Sequence, residues 1–253
     1  MGIILTSRIP YTVENPLRPK RPATSKIIFL SMEGSITEEE YFIRVSQLFD
    51  EVKSKIQFIS VAEDAVHTRE KNRTKEQISM LGKSKPKQLV EKIEQFKIEQ
   101  NEKYQFDKYN DEFWIVSDID NNLSDYAIEK FHQALDICDE RGYGYAISNP
   151  FFELWLLLHH DDITEEDKRC AVTEEHAYEK TGHFRDRLRD CGAPLQGSKH
   201  IRGEDYTKEK MIQAVERAKA LHTDREGRYP KYLATTVYQL LDQVLEMAGK
   251  NNI

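Results

Sequence analysis

Residues 27–34 read Ile27-Ile28-Phe29-Leu30-Ser31-Met32-Glu33-Gly34, and this stretch decides the fold. Its apolar, β-branched-rich run is too short for a helix and suits a strand buried on both faces. The run stops at an acid followed by glycine, the residue that most readily takes a tight turn. Beyond the turn, Thr37 reads as a helix N-cap with Glu40 as its capping-box partner, and Tyr41, Val45, Leu48 and Phe49 recur on one helical face. Strand, acidic turn, helix is the opening unit of an α/β domain.

The same pattern recurs downstream. Residues 56–61 (IQFISV) alternate like a second strand. A polar Lys/Arg/Thr-rich stretch over 63–86 shows no period, and Lys83-Ser84-Lys85-Pro86-Lys87 forms a basic loop before a helix over about 87–102. Phe113-Trp114-Ile115-Val116 is a third strand ending at Ser117-Asp118-Ile119-Asp120, and Ser124 caps a helix reaching about residue 140. Gly142 and Gly144 lead into a fourth strand, Tyr145-Ala146-Ile147, which stops at Ser148-Asn149-Pro150. Residues 151–159 (FFELWLLLH) form a short apolar helix with Ser148 as its cap. Alternating strands and helices predict a Rossmann-like parallel sheet, right-handed crossovers and helices on both faces. The acidic and polar clusters all fall at strand C-terminal ends, where open α/β sheets place ligands.

The two flanks differ from this core. Residues 1–25 are punctuated by Pro10, Pro16, Pro19 and Pro22 and carry Arg8, Arg18, Lys20 and Arg21, which describes a basic arm. After His160 the chain is charged and divided by Gly182, Gly192, Gly197 and Gly203, with helices expected at about 207–222 and 233–248. The organisation expected is an arm (1–25), an α/β core (26–160) and a helical C-terminal extension packed on it (161–253).

Bulk composition narrows the function classes. A chain of 253 residues with 39% hydrophobic and 32% charged residues can bury a sizeable core. It holds no apolar run of the ~18 residues needed to span a bilayer. It has no apolar leader either, so a cytoplasmic location is expected. Cys138, Cys170 and Cys191 are odd in number and contain no CxxC, which argues against a disulfide framework or a thiolate zinc site. The net charge of −7 means that nucleic acid would have to be met by a local basic surface or a partner's.

The candidate chemistry lies in the strand-end acids. Glu33 sits at a turn suited to metal binding or proton transfer, although an acid there also suits a helix N-terminus. Asp118 and Asp120 end the third strand two residues apart and can face one hard cation, although such a pair also closes strands as an Asx turn. Taken together the three converge at one sheet edge, and like charges that close demand a cation or a proton. Glu38, Glu39 and Glu40 read as ordinary first-turn acids. In the 148–155 segment, Phe151, Leu154, Trp155 and Leu158 form a buried face, leaving Asn149 and Glu153 as the polar exceptions. His159-His160-Asp161-Asp162 has metal-ligand residue types, but neighbours on a helix diverge, and only His159 stays a candidate. Gln196-Gly197-Ser198-Lys199 lacks the first glycine of a P-loop. A basic helix around His183, Arg185, Arg187 and Arg189 reads as a solvated face or as part of a phosphate-contacting surface.

Three segments, IIFLSMEGSITEEEYF, FWIVSDID and AISNPFFELWLLLH, resemble the RloB-like family, prokaryotic proteins assigned to the Toprim fold and related to OLD-family nuclease domains. Weaker echoes are Tyr178-Glu179-Lys180 and YPKYLATTVYQLL, and the matches span most of residues 26–245 in the family's order. The resemblance implies a Toprim-like α/β fold and a nuclease dependent on Mg²⁺ or Mn²⁺, acting on DNA or RNA. Glu33 would be its general acid/base, and Glu33, Asp118 and Asp120 its metal-binding set. Glu38 matches a second acidic position, although it lies five residues after Glu33 where many Toprim enzymes place an acid at four. Glu153 is a further acid, and Lys180, His159 or an arginine of the arm would neutralise phosphate. The resemblance also implies antiphage defence by abortive infection beside an SMC- or ABC-like ATPase.

Two other classes remain open at this point. A HAD-like phosphatase also ends a strand in DxD, but Asn122 stands where its threonine belongs. A non-catalytic adaptor of a defence ATPase would suit the net acidity.

Overall fold

The computed structural model describes residues 26–34, 36–49, 56–61, 86–104, 106–119, 125–172, 177–197 and 199–250. The basic arm, most of the polar 63–86 stretch, Asp120 and the Ser124 cap lie outside the described residues.

The first strand, β1 (Lys26–Met32), is followed by α1 (Thr37–Leu48), β2 (Ile56–Ser60), α2 (Pro86–Tyr104), β3 (Glu112–Asp118), α3 (Asp125–Arg141), β4 (Gly144–Asn149) and α4 (Phe152–Leu157). Strand order is β2-β1-β3-β4-β5, with the first four parallel and a two-residue β5 (Ala234–Thr235) antiparallel beside β4. The fold is therefore the Rossmann-like α/β arrangement that the alternating pattern predicts. It has one addition: the expected 233–248 helix begins only at Tyr238, because residues 234–235 pair with Asn149 and Ser148. Two residues give no period to read, and the register comes from the partner strand.

The two faces of β1 show why a continuous apolar run was needed. Ile28, Leu30 and Met32 enter one core with Tyr41, Phe42 and Val45 of α1, and Ile27 and Phe29 enter the other with Leu89, Ile93 and Phe96 of α2 and Phe131 and Leu135 of α3. Alternate side chains of a strand point to opposite faces, so a sheet covered on both sides is apolar at nearly every position, with Ser31 the buried polar exception in β1.

The chain after residue 160 joins the first of these cores. It forms α5 (Glu165–Val172), α6 (Ala177–Asp190), a 3₁₀ turn (Gly203–Asp205), α7 (Lys208–Leu221) and α8 (Tyr238–Lys250). Phe184, Leu188, Met211, Val215, Leu240 and Leu241 are buried there with residues of β1, α1 and α4. Thr207 caps α7 by accepting from the Lys210 amide. Among the described residues no helix is long and apolar enough to cross a membrane.

The chain runs from β1 outward to β2, then back past β1 to β3. The C-terminal ends of β1 and β3 are thus neighbours at the point where strand order reverses, which is where doubly wound sheets open a crevice. Met32 and Val116 are register partners there, and the Glu33 amide continues the ladder by donating to the Val116 carbonyl at 2.9 Å.

Candidate functional site

At that crevice lies a cleft of about 340 Å³ lined by Glu33, Gly34, Ile36, Thr37, Glu38, Asp118, Phe151, Phe152, Glu153, Arg185 and Lys199. Four carboxylates face two cations in this lining.

Glu33 is fixed by β3. Its Oε2 accepts from Ser117 Oγ at 2.6 Å and from the Asp118 amide at 3.1 Å, so pairing of β1 with β3 also sets the angle of the carboxylate. Burial raises the Glu33 pKa, against the opposing pull of these two donors and of Lys92. Glu38, in the first turn of α1, is buried and accepts the Gly34 amide at 3.1 Å. Gly34 is required by this contact, since a Cβ there would overlap the Glu38 carboxylate. Burial pushes the Glu38 acid up to about 7, with Glu153 and Glu33 adding repulsion. Asp118 closes β3. Burial first, then repulsion from Glu33, Glu38 and Glu153, holds it well above the usual carboxylate range, and the Phe152 amide only partly offsets this. Glu153 stands in the first turn of α4 and is tied through Oε1 to Arg185 Nε at 3.0 Å and Nη2 at 2.9 Å.

Of the residues singled out in the sequence, Glu33, Glu38, Asp118 and Glu153 therefore meet in one cleft. Glu38 is no ordinary first-turn acid, because it is buried among the others. Asp120 lies outside the described residues. Lys180 lies on α6, one helical segment with Arg185. Asn149 is not in the cleft lining: its Nδ2 donates to the Pro230 carbonyl at 3.0 Å, on the side of the C-terminal segment. The Asn149-Pro150 peptide is cis. His159 is buried among Tyr41, Trp155 and Tyr206, donates through Nδ1 to the Trp155 carbonyl and accepts from Tyr41 through Nε2. Burial lowers its pKa to about 3, so it is a neutral core histidine, away from the cleft.

Two local assignments are corrected. Thr37 is the first helical residue rather than the cap, which is Ile36, and its hydroxyl donates to the Lys199 carbonyl at 2.7 Å. Glu40 does not reach back to that cap: it accepts from His200 Nδ1 at 2.7 Å and the Ile201 amide at 2.9 Å. Likewise Ser148 does not cap α4. Phe151 is the N-cap residue, and Ser148 Oγ bonds Thr235 Oγ1 at 2.9 Å. In each case a distant segment outcompetes the local bond.

Lys199 was set aside in the sequence because its segment is no P-loop, yet it lines the cleft. Its only sequence signal is a cation beside Gly197, which has φ of 55° and supports the turn bridged by Gln196 and His200. Ser117 was likewise unremarked, and nothing local distinguishes it from any strand serine.

Carboxylate oxygens are the donors that a hard divalent cation prefers, and Mg²⁺ needs only one or two of them with water completing its shell. Glu33 and Asp118 fit that demand. Among the described residues no three His, Cys, Asp or Glu side chains stand together as a ready-made metal cage.

A model of the RloB-like protein family matches residues 28–244. No curated protein and no solved structure matches the chain.

Proposed function

The chain belongs to the RloB-like family, and on that premise we propose that its cleft hydrolyses phosphodiester bonds of DNA or RNA with Mg²⁺ or Mn²⁺, using an acid set of the Toprim kind. The observation that carries this reading is the meeting of Glu33 and Asp118 at the switch point, both with raised pKa values and too few cations to neutralise them. Acids in such a state take up protons or bind a cation, and both are useful to a phosphoryl-transfer site.

Glu33, Asp118 and, from its place two residues on, Asp120 would hold the metal. The bound ion would lower the pKa of a water and neutralise charge on the phosphoryl oxygens. Glu33, which accepts from Ser117 and the Asp118 amide, would carry a proton to or from the reacting oxygens. Asp118 would add its charge to the metal-holding set, and Phe152 and Ile36 line the same cleft. Arg185 is the cation already in position opposite. A role in antiphage defence, with an ATPase partner, belongs to the same proposal.

The test is incubation of the protein with plasmid, single-stranded DNA and tRNA in Mg²⁺, Mn²⁺ or EDTA, beside Asp118→Asn and Glu33→Gln. Metal-dependent cleavage by the wild type and its loss in both variants support the reading. Absence of wild-type cleavage on every substrate, alone and with the partner ATPase, sinks it. A second reading, a non-catalytic adaptor, is favoured by the state of the basic helix. Arg185 pairs with Glu153, Arg187 with Asp161 and Asp167, and Arg189 with Asp186 and Asp190, so these three arginines of α6 present little uncompensated charge to a nucleic acid.

A further inference from the structure

The acids and the cations of the cleft come from different parts of the chain. Glu33, Glu38, Asp118 and Glu153 all stand on the strand–helix core, whereas Arg185 and Lys199 arrive from the segment after residue 160. That segment is fastened at the cleft rim. Thr37 holds the Lys199 carbonyl, and Glu40 takes both the His200 ring and the Ile201 amide. The Gln196–His200 turn is closed by reciprocal backbone bonds of 2.7 and 2.9 Å. Lys199 is exposed in this turn, with no carboxylate partner among the described residues. Arg185 has its side chain 35% exposed and is held by two of its nitrogens on a single oxygen, Glu153 Oε1. An arginine fork placed this way can exchange a carboxylate for a phosphate without moving its backbone.

We propose that Arg185 and Lys199 form a phosphate subsite on the C-terminal wall of the cleft. It would take a backbone phosphate of a nucleic-acid strand, with Glu153 holding Arg185 in place until the strand arrives. The subsite rests on the phosphodiesterase reading and adds to it a binding half supplied by residues 185–199. It would give a chain of net charge −7 a local hold on a polyanion, through two cations at a cleft rather than across a basic face.

The measurement is fluorescence anisotropy with a labelled 12-nucleotide single strand, as DNA and as RNA, over a salt series in EDTA and in Ca²⁺. Arg185→Gln and Lys199→Gln should each weaken binding roughly tenfold, the weight of one charge-assisted contact, and lower the salt slope by about 0.7. Glu153→Gln should tighten binding, and the gain should vanish in the Glu153→Gln/Arg185→Gln double variant, because it acts through the released guanidinium. Lys199 is exposed, so its variant keeps the test valid if loss of Arg185 disturbs folding, which circular dichroism would register. Unchanged affinity and salt slope in folded Arg185→Gln and Lys199→Gln, or no binding by the wild type, overturns the subsite. Cleavage assays on the same preparations separate the two ideas. A wild type that cleaves while both variants bind normally keeps the phosphodiesterase and loses the subsite. A wild type that binds as described but never cleaves keeps the subsite and loses the phosphodiesterase.

Discussion

Two acids in this molecule, Asp167 and Asp118, have opposite fates. Asp167 has no exposed side-chain surface, yet its pKa lies below the usual range. It accepts from the Thr164 amide and hydroxyl at 2.7 and 2.8 Å, from His183 at 2.6 Å and from Arg187 at 3.1 Å. These donors overcome its burial. Asp118 receives one backbone donor and three like-charged neighbours, and its pKa is driven upward. Burial works against the charge of both: donors outweigh it at Asp167, whereas at Asp118 it is the largest influence and like-charged neighbours add to it. An acid surrounded by donors holds its charge in the fold, and an acid left short of them takes up a proton or a cation more readily.

The largest expected contrast comes from neutralising each in turn. Asp118→Asn should cut any metal-dependent turnover by at least about 10²-fold, while raising the melting temperature in EDTA because it removes a repelled charge. Asp167→Ala should do the reverse, costing about 3 kcal/mol of stability in a denaturant titration and sparing the cleft. If Asp118→Asn destabilised the protein as much as Asp167→Ala, the distinction would collapse.

The pH dependence should differ in sign as well. Glu38 binds its proton more tightly in the folded chain than in the unfolded one, with its pKa moved from 4.5 to about 7. The folded state therefore carries more protons between those values, and stability falls as pH rises through the window, by on the order of 3 kcal/mol for this group. Asp167 has a depressed pKa, so its contribution is present at neutral pH and is lost as pH falls through its folded value. Thermal melts in EDTA should thus peak at mildly acidic pH. Glu38→Gln should flatten the neutral limb, and Mg²⁺ should raise stability on that limb alone. A wild-type curve that climbs steadily from pH 5 to 8 in EDTA would contradict the raised values.

The smallest effect tests the fastening of the C-terminal wall. Glu40→Ala should cost roughly 1 kcal/mol for its lost bonds and speed proteolytic nicking near residues 196–203. Equal nicking rates in both proteins would show that Glu40 does not hold the turn.

The same two regions show what was legible in the sequence. β1, β3 and β4 are continuous apolar runs, and α1 carries a clear helical face, so the sheet and the position of Glu33 and Asp118 could be read directly. A threonine-to-acid capping box was expected at Thr37 and Glu40, but the reciprocal bonds form at Thr164 and Asp167 instead. Both pairs have the same spacing. What differs is competition: Thr37 and Glu40 face the 199–201 turn, and no local pattern announces a partner more than 150 residues away. Lys199, Ser117 and the pairing of Arg185 with Glu153 were hidden for the same reason. β5 is too short to carry any period, and its register is dictated by β4. The family resemblance read from the strand ends is upheld by the match over residues 28–244.

The bonds from Ser117 and the Asp118 amide to Glu33 have a consequence for the chain during synthesis. The first acid leaves the ribosome long before the strand that orients it, and the turn bearing Lys199 follows later still. A nascent or half-folded chain therefore has no assembled cleft, and a slip of one residue between β1 and β3 would send Glu33 and Ser117 to opposite faces. Any activity of the proposed kind would therefore be tied to completion of the fold, and translation intermediates and misregistered molecules would lack the assembled cleft.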